Sequence, residues 1–212
     1  MSDVIERKIV KTENYVITYS DSTILIKEVR LSYPHLKEPW ALGGADKPAY
    51  SATGLMPKTP AYAKSKALID AVIQKMAVDK QDPNLPASRR FITDGDETGK
   101  VSHKGMWRIN AREQTRPGLR GRGVDRVTGR AKIISPEEAV EVFYPGCWVN
   151  LLIKPWWQQN TYGKRVNANL IAVQFVRDDD KIVGEGRIGD DAIDDSFGVL
   201  PEDESGFEDD EL

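Results

Sequence analysis

The stretch WVNLLIKPWWQQNTYGKRVNANLIAVQFV, Trp148–Val176, decides the fold. Two runs rich in Val, Ile, Leu and aromatics flank a polar turn, the pattern of an antiparallel hairpin. Neighbouring side chains in a strand point to opposite faces. Val149, Leu151, Ile153 and Trp157 therefore belong to one face, and Asn150, Lys154, Trp156 and Gln158 to the other. This register splits the adjacent indoles, Trp157 toward the core and Trp156 away from it, with Tyr162 across the turn. Pro155 is the residue able to kink the strand and spoil the parity.

Outward from the hairpin, the chain reads mostly as further strands. TILIKEVRLSY (Thr23–Tyr33) alternates, with Leu25, Val29, Leu31 and Tyr33 on one face and Arg30 and Ser32 on the other. AYSATGLMPK (Ala49–Lys58) is a second strand. KGMWRINARE alternates Met106, Arg108, Asn110 and Arg112 against Trp107, Ile109 and Ala111. One helix is expected over Thr59–Lys80, with Thr59 at its N-cap and Pro60 in its first turn. Its apolar stripe is Leu68, Ile69, Val72, Ile73 and Met76. RPGLRGRGVDRVTGR (Arg116–Arg130) is Gly-rich and basic and reads as a mobile loop. Twisted antiparallel strands with one intervening helix suggest a small closed barrel.

The net charge of −3 hides an asymmetry. Residues 178–212 hold 15 acids and 2 bases, whereas 1–177 hold 28 bases and 18 acids. The division expected is a folded body over 1–177 and an acidic tail over 178–212, too poor in large apolar residues to offset chain entropy and so disordered. No apolar run long enough for a membrane helix occurs, and the N-terminus lacks the apolar centre of a signal peptide. The single cysteine, Cys147, excludes an intrachain disulfide, which fits a reducing cytoplasm. With His35 and His103 it makes no zinc spacing. No nucleophile elbow or phosphate-binding loop appears. Neither catalysis nor a cofactor is expected.

Four features carry candidate chemistry. Trp156 and Tyr162, beside Lys154, Lys164 and Arg165, offer the stacking-plus-cation arrangement used by single-stranded nucleic acid; the alternative is that both indoles cap the end of the barrel. From Lys100 to Lys132 there are 10 Lys/Arg and 2 Asp/Glu. This run, with Arg108, Arg112, Arg116, Arg120 and Arg122, suits phosphate oxygens, or is a solvated loop. Arg30, Tyr33 and Trp107 complete the set. Asp94, Asp96 and Glu97 in ITDGDETG could hold a hard cation, or form a turn. In the tail, Asp194, Asp195, Phe197, Phe207, Asp209 and Asp210 mix acids with apolar residues, as a partner-docking motif or a solubiliser would.

The order of the runs VRLSYPHLKEP, YSATGLMPK, DGDE, WRINAREQTRP, YPGCWVNLLIKPWW and YGKRVNANLIAVQFV, spanning about Val29 to Val176, resembles the tailed-phage single-stranded-DNA-binding proteins. The resemblance implies an oligonucleotide/oligosaccharide-binding (OB) barrel, here mainly β, antiparallel and Greek-key with one main helix. It implies single-stranded DNA binding in phage replication or recombination, in the host cytoplasm. A competing acidic tail would recruit a polymerase, a helicase or another replication protein. Such tails often end in an aromatic residue, whereas this chain ends in Leu212, with Phe207 five positions earlier. Homo-oligomerisation is left open. The rival readings are a strand-annealing protein, a metal-dependent nuclease using Asp94, Asp96 and Glu97, and a polypeptide-binding module.

Overall fold

The computed structural model describes residues 7–41 and 47–183. Ten strands form one curved sheet: β1 (Ile9–Glu13), β2 (Val16–Tyr19), β3 (Ile24–Trp40), β4 (Ala49–Pro57), β5 (Ile92–Asp94), β6 (Met106–Glu113), β7 (Gly118–Val124), β8 (Ala131–Ile133), β9 (Trp148–Asn160) and β10 (Gly163–Arg177). The main path runs β5-β6-β4-β3-β9-β10-β7-β8, with β2 on β3 and β1 on β2. The jump from β3 to β9 is the Greek-key crossover. Helix α1 (Pro60–Asp79) joins β4 to β5, and a single turn, α2 (Ala139–Val142), precedes β9. The described residues through Ile182 form one compact unit.

Strand β3 shows how one sequence serves two neighbours. Its first half pairs with β2 and β9, its second half with β4. Register shifts fall between Ile26 and Val29 and between Ser32 and His35. Glu28 (φ 52°) and Tyr33 (φ 46°) sit at these two bulges. A bulge adds one residue, bends the strand and resets its parity. The inward face is therefore Ile24, Ile26, Val29 and Leu31, all 1% exposed or less, and not Leu25. Tyr33 likewise leaves the core and is 49% exposed.

In the hairpin β9–β10, β9 keeps its alternation, and β10 keeps it as far as Leu170, where the register shifts. Val149, Leu151 and Ile153 are fully buried, Trp157 packs against the core, and Trp156 is 41% exposed. Pro155 does no harm, because the ladder with β3 stops at Ile153 and β10 is the partner beyond it. Along α1 the stripe is wider than its aliphatic residues: Tyr62, Ser65 and Ala77 are also buried. Ser65 Oγ accepts from Tyr15 N–H (3.0 Å) and donates to the Glu13 carbonyl (2.8 Å), so its burial is matched by bonds to the β1–β2 turn. Thr59 holds the N-cap position in extended backbone but makes no side-chain cap bond.

Two expectations are corrected. The segment from Arg116 is not a loop: β7 and β8 occupy it, joined by a turn that Asp125 Oδ1 caps from Val127 N–H and Thr128 N–H. Leu119 faces inward, and a Cβ on Gly121 would lie 2.8 Å from Ile134, so this glycine is a packing requirement and not a mark of mobility. The sheet is also neither closed nor wholly antiparallel. Strand β7 runs parallel to β10. Among the described residues no ladder joins β6 to β10; only an isolated bridge, Arg90↔Val166, crosses there. The gap is a groove.

Candidate nucleic-acid interface

The groove lies between β4 and β6 on one side and β9 and β10 on the other, with a volume of about 810 Å³. Its floor is polar and neutral: Ser51 and Thr53 from β4, Asn110 from β6, Gln158 from β9, Asn167 and Asn169 from β10. These are the outward residues of strands whose inward residues build the core, so the alternation that buries Ile109 and Val166 also places Asn110 and Asn167 here. Thr53 Oγ donates to Asn110 Oδ1 (3.1 Å), Asn167 Nδ2 to Gln158 Oε1 (2.6 Å), and Gln158 Nε2 to Asn160 Oδ1 (3.1 Å).

Two indoles and four cations frame this floor. Trp156 stands on β9, and Trp40 ends β3, 49% exposed and stacked on His35 at 4.8 Å. Among the described residues, Lys47, Arg90, Arg112 and Arg165 supply positive charge against one carboxylate, Glu113. The guanidiniums are anchored on main-chain carbonyls: Arg90 on Leu85 (2.8 Å), Arg165 on Ser88 (3.5 Å) and Arg112 on Lys47. A neutral carbonyl orients a guanidinium without cancelling its charge. At the hairpin tip Tyr162 is 79% exposed, and Arg89 donates to its carbonyl (3.0 Å). Lys164 beside it is paired with Asp82 (3.4 Å).

Of the residues singled out in the sequence, the structure therefore gathers Arg112, Trp156 and Arg165 in the groove. Lys154 lies along the same face of β9, and Tyr162 and Lys164 lie at its end. The others stand elsewhere. Arg30 donates to the carbonyls of Gly146 (3.2 Å) and Asp180 (2.7 Å) and pairs with Asp179 (3.5 Å). Tyr33 meets Lys100, through its hydroxyl and its ring face. Trp107 packs against the core, with Lys66 over its ring at 5.7 Å. Arg108 shares the outward face of β6, but its Nε is buried without a hydrogen bond. Arg116 is held by Tyr50 Oη (3.2 Å) and the Lys37 carbonyl (3.4 Å), and Arg120 by the Leu119 carbonyl (2.9 Å). Arg122 is exposed on β7. Asp194, Asp195, Phe197, Phe207, Asp209 and Asp210 lie outside the described residues. Trp40, Lys47 and Arg90 were not anticipated. Trp40 follows the polar Lys37-Glu38-Pro39 and Arg90 follows Ala87-Ser88-Arg89, so no local pattern marks either.

Residues 178–182 belong to the body. Asp179 accepts from Trp148 Nε1 (2.5 Å), Tyr144 Oη donates to Asp178 (3.0 Å), and Ile182 N–H donates to the Pro145 carbonyl (2.9 Å). The Trp148 bond, with Asp180 N–H, holds the Asp179 carboxyl below its ordinary range. Asp94 and Asp96 of ITDGDETG are similarly committed. Lys58 Nζ lies between Asp94 and Asp96 (2.6 Å to Asp96), and its hydrogen bonds hold both carboxyls low. An ammonium stands where a metal ion would need to sit, and the turn reading accounts for these residues. Among the described residues no cluster of three metal-ligating side chains occurs. Cys147 is buried, which pushes its thiol up to about 12. None of the described helices is long and apolar enough to cross a membrane.

Comparison with known proteins places this geometry. The ssDNA-binding protein of bacteriophage Enc34, in a structure in complex with ssDNA, superposes with a TM-score of 0.74 at 36% identity, over 84% of this chain and 99% of that one. A structure of the Enc34 protein without that description gives a TM-score of 0.73 at 37% identity, over 87% of this chain and 96% of that one. Protein p50 of Acyrthosiphon pisum secondary endosymbiont phage 1 is 33% identical over 172 residues, 77% of this chain and 88% of that protein. The family model described as the ssDNA-binding protein of Enterobacter phage Enc34 matches residues 22–206, and the chain, an OB-like barrel opened along one groove, belongs to that phage single-stranded-DNA-binding family.

Proposed function

We propose that the protein is a non-catalytic binder of single-stranded DNA, with little sequence preference, and that the strand lies in the groove between β4/β6 and β9/β10. The observation that carries this reading is the juxtaposition of Trp156 and Trp40, both half-exposed, with Arg90, Arg112 and Arg165 in one open channel. Bases stack on the indoles and phosphates meet the cations, an arrangement that tolerates every base because each has a stacking face. Membership of the Enc34 family supports it. Fluorescence-anisotropy titration of an oligo-dT over a salt series tests it: affinity falls steeply with salt as counterions are released. Absence of binding at low salt, with the protein folded, overturns it.

The acidic segment adds regulation. With 12 acids in 183–212 it mimics a polyanion, competes with DNA for the basic body and, once displaced, is open to a replication partner such as a polymerase or helicase. On this reading the protein works in phage DNA replication or recombination, in the host cytoplasm. Deleting Asp190–Leu212 then tightens binding at low salt; equal affinity of the two forms rules the competition out.

A further inference from the structure

The groove amides are not equivalent. The oxygen and nitrogen of an Asn or Gln side chain are told apart by the hydrogen bonds they join, and a chain of such bonds runs from the backbone into the groove. Tyr162 N–H is only a donor, and Asn160 Oδ1 accepts it at 3.0 Å. The same oxygen accepts Gln158 Nε2 at 3.1 Å. Gln158 therefore turns its Oε1 the other way, where it accepts Asn167 Nδ2 at 2.6 Å. One main-chain N–H thus sets the polarity of three amides in series. At the end of the series stands Asn167, which lines the groove and whose Oδ1 has no hydrogen-bond donor among the described residues. Asn167 is the direct cross-strand partner of Trp156 on the same face, a separation at which their side chains meet. Asn169, two residues on, makes no side-chain hydrogen bond among the described residues and is able to present either atom.

We propose that Asn167 is a base-reading residue of fixed polarity. A base stacked on Trp156 meets a carbonyl acceptor that cannot turn over, so a base offering an exocyclic amino donor binds better at this position than one lacking it. The preference is confined to one stacking position and leaves the rest of the strand read by stacking and charge. This inference rests on single-stranded DNA lying in the groove.

The experiment compares an oligonucleotide of deoxyadenosine with one of deoxynebularine, the purine without the 6-amino group, in equilibrium titrations of the full chain. The ratio of the two Kd values in wild type is expected to exceed that in Asn167→Ala by about fivefold, the size of one net hydrogen bond. Asn169→Ala weakens both oligonucleotides alike and keeps the wild-type ratio. Asn160→Ala leaves Asn167 in place but releases the relay, and lowers the ratio toward that of Asn167→Ala. The same ratio in wild type and Asn167→Ala overturns the inference while leaving groove binding intact. Failure of wild type to bind either oligonucleotide overturns the proposed function, and this inference with it.

Discussion

Two regions use arginine and tryptophan in opposite ways. In the groove, Arg90, Arg112 and Arg165 rest on carbonyls, and Trp156 and Trp40 turn a face to solvent. At the end of β10, Arg30 is matched by Asp179, Trp148 donates to the same carboxylate, and Arg177 lies over the Trp148 ring at 4.1 Å. Both regions combine indoles with guanidiniums. In the first, Arg90 and Arg165 rest on neutral carbonyls and both indoles are half-exposed. The second is a clasp that fastens residues 178–180 to the body.

The contrast is broken or sharpened first by the adjacent indoles. Trp157→Ala is expected to destabilise the fold by about 3 kcal/mol in urea unfolding, since that ring packs against the core. Trp156→Ala leaves unfolding nearly unchanged and costs about 1–3 kcal/mol in oligo-dT binding, the worth of one stacked base. Loss of binding in Trp157→Ala without loss of stability would reverse the assignment.

The arginines come next. Arg112→Ala and Arg165→Ala each lower the slope of log K against log salt by about 1, as expected for a lost phosphate contact. Arg30→Ala keeps the slope and lowers stability by up to about 1 kcal/mol, because its partner Asp179 is partly solvated. A slope change in Arg30→Ala but not in Arg112→Ala would mean that DNA follows another face.

The smallest effect concerns pH. Burial holds the His35 imidazole below its ordinary 6.5. The folded state then binds fewer protons than the unfolded chain, so this contribution is complete above 6.5 and falls as pH drops from 6.5 to the lower folded value. Melting from about pH 7.5 to about pH 5.5 should show a small loss that His35→Gln removes. Asp94 and Asp96, held low by Lys58, begin to lose their contribution only at more acid pH, below 3.8, whereas the His35 loss begins at 6.5.

Much of this was legible in the sequence where one physical rule acted alone. Strands β9 and β6 follow strict alternation, and their buried and exposed faces, including the split of Trp156 from Trp157, follow from it; β10 does so only as far as Leu170, where its register shifts. Strand β3 defeated the same rule because bulges at Glu28 and Tyr33 reset parity, and a bulge in a Val/Ile-rich run leaves no compositional mark. Strand β7 was hidden by its three glycines; of these Gly121 lies against Ile134, whose side chain takes the space of a Cβ, and Gly123 has a positive φ. The site was half visible. Charge counts identified a basic body, but whether an arginine faces a carbonyl or a carboxylate depends on residues distant in the chain. Arg30, for instance, meets Asp179.

The central claim is that the strand lies against Trp156 and Trp40. The direct measurement is tryptophan quenching on titration with oligo-dT in Trp→Phe variants, which keep an aromatic ring and remove one reporter at a time. The account predicts that the quenching is largely lost in the Trp40→Phe/Trp156→Phe double variant and retained in Trp148→Phe, whose indole is held in the clasp. Quenching that survives the double variant and disappears in Trp148→Phe would contradict it.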